Sequence, residues 1–403
     1  MNKKEVKKAP TLRFKGFTND WEQRKLGDIS EIIRGASPRP ISDPKWFNSN
    51  SNIGWLRISD VTAQHGRIQH LSQHISILGQ AKTRVISTPH LLLSIAASVG
   101  YPVINYVKTG VHDGFLIFEN PKFNIDFGFY WLAFYKHEWQ KFGQPGSQVN
   151  LNSSIVKKTN IGLPDNVEQK AIVHLLKLIV NCITLHQRKL KLLRTLKSGL
   201  SFKLFNKKHL NNLSQISLDQ IGQTYSGLTG KSKKDFGHGH AFYVSYLNVN
   251  QNEIGNPKQI DRIEIDKKQN LVQKNDIFFT ISSETPEEVG LTSLWPVSCK
   301  NLYLNSFCFG FRINTKMFIP LYLGYLFRSE YFREKVLPLA QGISRYNLSK
   351  NNVLKIKIGQ EEIAIQEKYA KVMNDLDSDI LRQKKKVKEL KLCKKFLLQN
   401  MFI

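Results

Sequence analysis

Between residues 164 and 205 apolar side chains recur at alternating steps of four and three. The series is Ile172, Leu176, Ile179, Ile183, His186, Leu190, Leu193, Lys197, Leu200 and Leu204, apolar at eight of ten positions. That spacing keeps one stripe of a helix against a partner helix, as in a coiled-coil seam. Pro164 and Asp165 supply a start signal, with Glu168 near the positive end of the helix dipole. Adding 197 gives a second series: Tyr369, Met373, Leu376, Ile380, Gln383, Val387, Leu390, Lys394, Leu397 and Met401. It breaks at the same two places, and residues 150–205 repeat as 347–402 without a gap, with 14 identities in 56 positions. Unrelated core helices would seldom break in register, so the pattern predicts a matched, antiparallel pair. Each helix has about 40 residues, hence a length of roughly 60 Å. Glu361 stands where the first copy has Pro164, which predicts a different start for the second helix.

Upstream of each helix the pattern shortens to strand-like runs: Trp55–Ile58, Leu91–Ile95, Val103–Val107, Gly114–Phe118, Ile277–Ile281 and Ser306–Ile313. Helix-like stretches follow at Phe127–Lys141 and Leu321–Val336. These segments repeat loosely. Leu26, Ile29 and Gly35 match Leu218, Ile221 and Gly227 at an offset of 192, and Arg57–Val61 resembles Ser245–Val249 at 188. The fold class expected is α+β, with two similar globular domains separated by two long antiparallel coiled-coil helices in a pseudo-two-fold repeat. The expected divisions are an arm at 1–20, domains at 21–163 and 207–357, and helices at 164–206 and 358–403.

Charge narrows the partner. Lys and Arg number 59 against 32 Asp and Glu, a net +27, in a chain hydrophobic enough at 41% to fold. That balance favours a polyanion, since neutralising phosphates releases counterions. A protein built twice suits a ligand with two-fold character, and duplex DNA fits both demands. Cys182, Cys299, Cys308 and Cys393 form no C-x-x-C pair, which argues against a disulfide framework and a zinc site. Met1–Pro10 is basic without an apolar core behind it, and His174 and Lys177 interrupt the longest apolar run of the first helix. Neither a signal peptide nor a membrane span is expected, and the expected location is cytoplasmic.

Catalytic motifs fail one by one. Gly227-Leu228-Thr229-Gly230-Lys231-Ser232 has two residues between its glycines where a phosphate loop needs four. Pro164-Asp165 with Glu168 and Lys170 mimics a nuclease signature, but helix initiation explains it better, and the second copy lacks it. The histidines show no metal-enzyme spacing, and neither a G-x-S-x-G elbow nor an Asn/Asp-Pro-Pro-aromatic tetrapeptide is present. The balance points to binding.

On particular residues the chain resembles the specificity (S) subunits of type I restriction–modification enzymes. The resemblance opens at Leu12-Arg13-Phe14 with Gly16-Phe17, Trp21-Glu22 and Lys25-Leu26-Gly27-Asp28. It continues through Asn150-Leu151-Asn152, Ile161 to Pro164, Glu168 to Ile172, and Gln187 to Leu190, and returns at Asn347-Leu348-Ser349, Gln366 and Phe402. It implies that each domain reads one half of an asymmetric split DNA target. The helices would then set the spacer and dock two modification subunits, which bind S-adenosylmethionine and methylate adenine. Restriction subunits would add ATP- and Mg2+-dependent translocation and cleavage, with no cofactor and no metal on this chain. The alternative is a stand-alone structural or regulatory DNA-binding protein.

Base readout needs Arg, Lys, Asn, Gln, Ser or Thr on loops. In the first copy the candidates are Arg34, Ser37 and Arg39, then Ser98, Gln148 and Asn150. In the second they are Thr229, Lys231, Ser232, Lys233, Ser282, Ser283, Arg345 and Tyr346. The outer helix faces are basic at Arg188-Lys189, Lys191, Lys384 to Lys386, Lys388 and Lys394-Lys395. Arg188, Lys189, Lys385 and Lys386 are the candidates for docking partner subunits.

Overall fold

A computed structural model describes residues 9–96, 99–139, 141 and 151–403. The chain divides into two compact units, Met1–Gln187 with Lys385–Ile403, and Arg188–Lys384. The two cuts lie 197 residues apart, which is the period of the repeat.

In the first unit the strands Glu31–Arg34, Phe115–Glu119, Leu91–Ser94, Pro102–Asn105 and Arg67–Ile68 form one sheet in that order. Successive side chains of a strand point to opposite faces. Leu91, Leu93, Leu116 and Phe118 accordingly join a core with the helix Ile125–Trp139, while Leu92, Phe115 and Ile117 join a second core with Val103 and Val111. Burial on both faces explains why these strands read as continuous apolar runs. The second unit repeats the device in the sheet Gly222–Ser226, Cys308–Ile313, Ile277–Thr280 and Thr292–Leu294. There Ile277, Phe279, Phe309 and Phe311 face one core and Phe278 and Cys308 the other.

Two short ladders tie each domain to the start of its long helix. In the first, Gln23 pairs with Gly162; in the second, Gln215 pairs with Gly359. The offsets of 192 and 197 meet within single contacts: Leu26 N bonds Thr159 O at 2.9 Å, and Leu218 N bonds Ile356 O at 3.0 Å.

The long helices span Asn166–Leu204 and Ile363–Asn400. Between residues 181 and 200 the only shielded side chains are Ile183, His186, Leu190, Leu193, Lys197 and Leu200, all on the expected seam. Between 381 and 396 they are Gln383, Val387, Leu390 and Lys394. In the first unit Ile172 and Leu176 share a core with Leu397, Met401 and Phe402; in the second, Phe205 shares one with Ala370 and Met373. Within each unit the start of one helix therefore lies against the end of the other, antiparallel. No helix among the described residues is long and apolar enough to cross a membrane.

Several expectations are corrected. The two long helices start at equivalent residues, Asn166 and Ile363, despite the exchange of Pro164 for Glu361. What differs is the fastening. In the first copy the buried Glu168 carboxylate accepts two bonds from Arg13, at 2.7 and 2.8 Å, and one from Trp21. In the second, position 168 becomes Ile365, and the buried carboxylate is Glu361, 2.6 Å from His209 Nε2. The stretch Leu321–Val336 is two helices, Pro320–Leu326 and Glu330–Val336. The chain breaks where the Arg328 guanidinium donates to four backbone carbonyls, those of Val249, Asn250, Asn252 and Thr292. Trp55–Ile58 pairs only at Gly54–Trp55, because the Asp60 carboxylate accepts from Arg57 N and initiates a helix at Ile58. Lys394 belongs to the shielded seam and not to the outer face, whereas Lys395 is exposed.

Candidate nucleic-acid interface

The loops at Gly35 and Gly227 follow the strands Glu31–Arg34 and Gly222–Ser226 and are set by one backbone device. A Cβ on Gly35 would lie 2.1 Å from the His112 carbonyl oxygen, and one on Gly227 would lie 2.1 Å from that of Asn305. Only glycine permits so close a passage. Ala36 N then bonds Val111 O at 3.0 Å, and Leu228 N bonds Leu304 O at 2.7 Å. The two loops leave their sheets in the same way.

What holds each loop differs. In the first unit Arg34, Ser37 and Arg39 all converge on Asp113. Ser37 Oγ donates to Asp113 Oδ1 at 2.9 Å, Arg39 Nη2 to Oδ2 at 2.6 Å, and Arg34 Nε to the Asp113 carbonyl at 2.6 Å. Partial burial alone would raise the Asp113 pKa, but the Ser37 hydrogen bond and the Arg39 and Arg34 charges outweigh it and hold the carboxyl below its ordinary value. In the second unit the backbone N–H of Thr229 donates to Gln269 Oε1 at 3.0 Å, and Lys231 pairs with Asp266 at 2.7 Å. Lys231, with help from the Lys268 backbone and Gln269, holds the Asp266 carboxyl down at about 2. Ser232 N and Oγ both donate to Asp235, which closes a short turn, and Lys233 is exposed. The acids Asp113 and Asp266 lie on unrelated stretches of sequence. Neither acid belongs to the basic and polar residue types that read bases, and no spacing marks Asp266.

A second edge forms in the second unit. Ser282 and Ser283 pair with Asn347 and Tyr346 in a short antiparallel ladder, and Ser283 Oγ donates to Glu288 Oε2 at 3.0 Å. Arg345 lies over the Phe307 ring, 6.0 Å from its centroid. Lys350 Nζ reaches Ser226 Oγ at 2.5 Å, which brings a further cation between this edge and the loop after Gly222–Ser226. Phe307 and Lys350 are additions to the sequence-based set. Ser98, Gln148 and Asn150 lie outside the described residues. Arg188 and Lys189 are exposed on the helix segment of the second unit, and Lys385 and Lys386 on that of the first. Among the described residues no group of three His, Cys, Asp or Glu side chains is placed to hold a metal ion.

Residues 18–195 match the type I restriction modification DNA specificity domain. This part of the chain belongs to that family. The specificity-domain match covers the first globular domain, with its Asp113-clamped loop, and runs into the first long helix. Over its whole length the chain shares a fold with the S subunit of a type I restriction-modification system from M. genitalium. The TM-score is 0.61 at 15% identity, over 98% of this chain and 99% of that one. A chain from a study of assembly and conformational transition in the type I R-M system gives 0.55 at 12% identity, over 94% and 96%. The specificity fold therefore extends through the second copy, which the family match does not reach.

Proposed function

We propose that this chain is the non-catalytic DNA-specificity subunit of a type I restriction–modification complex. Each globular domain reads one half of a bipartite, asymmetric target, and the long helices set the spacer and dock two methyltransferase subunits. The observation that carries the reading is the pair of glycine-set loops. The scaffold is the same in both copies, Gly35 under His112 and Gly227 under Asn305, while the residues mounted on it and the acids that hold them differ. A shared frame with unlike readers is what an asymmetric two-part target requires. Exposed Arg188, Lys189, Lys385 and Lys386 provide charged contact points on the helices for the partner subunits. Methylation with S-adenosylmethionine, and translocation and cleavage with ATP and Mg2+, fall to those partners in the cytoplasm.

Methylome sequencing of cells with the chain present and deleted tests this directly. The expected result is one split adenine-methylated motif that disappears with the chain. Exchange of residues 21–150 for those of another family member should change only one half of that motif. A change in both halves overturns independent reading, and methylation or cleavage of DNA by the purified chain alone overturns the non-catalytic assignment.

A further inference from the structure

Gln341 and Asn347 close a hairpin by exchanging both backbone bonds, Gln341 N to Asn347 O at 2.9 Å and Asn347 N to Gln341 O at 2.8 Å. Gly342 has a φ of +136°, and a Cβ there would lie 2.0 Å from the Arg345 carbonyl oxygen, so the turn tolerates only glycine. The hairpin base is pinned to the body of the second unit by the Ser282–Ser283 ladder and by Leu348 N, which bonds Ile281 O at 2.9 Å. Within this loop, anchored at its base, stands Ile343, 96% exposed.

An isoleucine so exposed gains nothing from burial in the folded chain. Two residues further along the loop, the Arg345 guanidinium lies over the ring of Phe307, itself 51% exposed. The Phe307 backbone is fixed in turn by a 2.8 Å bond from its N–H to Asn305 Oδ1. A protein partner would favour a contiguous apolar patch. Here the neighbours along the loop are Gln341, Ser344 and Asn347, all polar and exposed. A single apolar side chain on a loop anchored at its base, followed two residues on by a cation that covers an aromatic ring, has the chemistry of a side chain that enters a DNA base step.

We propose that Ile343 is a wedge inserted between adjacent base pairs of duplex DNA, with Phe307 stacking on the displaced base and Arg345 meeting a flanking phosphate. The inference rests on the reading of the second unit as DNA-binding and adds a deformation to it. Part of the specificity of that half-site then comes from how easily one step unstacks, which favours a pyrimidine–purine step.

The test uses the full chain, without methyltransferase partners, on duplexes carrying its methylated motif. 2-Aminopurine is placed in turn at each step of the half-site assigned to the second unit, away from the methylated adenine. The wild type should raise fluorescence several-fold at one step. Ile343→Ser should abolish that rise while gel-shift affinity falls by no more than about ten-fold, and Ile343→Leu should restore it. Retention of the rise in Ile343→Ser, or its absence in a wild-type complex that does shift, overturns the wedge and leaves DNA reading intact. If Ile343→Ser keeps the rise but loses co-purification with the methyltransferase, the tip is a protein contact and the wedge falls. No motif-dependent shift by the wild type overturns the DNA reading and the wedge together.

Discussion

Lys197 and Lys394 occupy the same seam position in the two copies of the long helix and meet opposite surroundings. Lys197 Nζ lies 2.5 Å from Glu253 and 2.6 Å from Asp377, whose other oxygen accepts from the Tyr325 hydroxyl. Lys394 pairs with no carboxylate among the described residues, and its pKa is lowered by burial and by the charge of Arg67. Removing one partner of a shielded ion pair is destabilising, whereas removing an uncompensated shielded charge is not. Lys197→Met should therefore cost about 2 kcal/mol, and Lys394→Met should be neutral or should raise the melting temperature. Thermal unfolding of both variants checks this, and equal losses would contradict it.

Gln169 and Gln366 provide a second matched pair. Gln169 Oε1 accepts from Asn124 N and its amide donates to Pro164 O, both at 2.9 Å. Gln366 Oε1 accepts from Ile319 N at 2.8 Å, and its amide donates to Glu361 O at 2.8 Å and Met317 O at 3.0 Å. Each glutamine staples the start of a long helix to the domain it leaves. Truncation strands buried backbone groups, so Gln169→Ala and Gln366→Ala should each cost about 2 kcal/mol. The readout is a lower urea midpoint at unchanged slope.

The Asp113 clamp should respond to acid. Its folded pKa is depressed, so the stability it contributes is complete above the unfolded aspartate value of about 4. That contribution is lost as pH falls through the lower folded value. Asp113→Asn at neutral pH should mimic acid, with the loop at Arg34, Ser37 and Arg39 exchanging amide hydrogens faster while the sheet strands keep their protection. Unchanged exchange in that loop would show that the glycine-set backbone suffices to hold it.

DNA affinity should fall steeply with salt, as expected of a protein carrying +27. Asp113→Asn frees Arg39 from its 2.6 Å partner, so binding at low salt should tighten and the dependence on salt should steepen by about one phosphate contact. Filter binding between low and physiological salt measures both, and a flat response would contradict an electrostatic interface.

The long helices were legible because their signal is local and repeated. Seam residues such as Ile183 and Leu390 recur at fixed steps, and matching breaks at His186 and Gln383 align the copies. The buried strands showed as apolar runs for the same reason. What stayed hidden depends on tertiary partners. No local pattern shows that Arg328 would break a helix by capturing distant carbonyls, or that Asp113 would gather three chosen readers. The Glu168 carboxylate that marks the first helix start is also hard to follow into the second copy, where its role passes to Glu361, four positions earlier in the aligned repeat.

Leu12 N bonds Asn400 O at 2.8 Å, so both ends of the described chain meet within the first unit. The equivalent place in the second unit is the unbroken turn from Phe205 through Asn206 into the short helix Lys207–Asn211. Each unit thus carries the same joint, closed by a hydrogen bond between separate stretches of chain in the first and by a continuous turn in the second. A cut between Phe205 and Asn206 would leave the Asn206 cap on His209 and the hydrogen bonds of both domains in place, so the second unit should then hold its joint as the first does, without a covalent link.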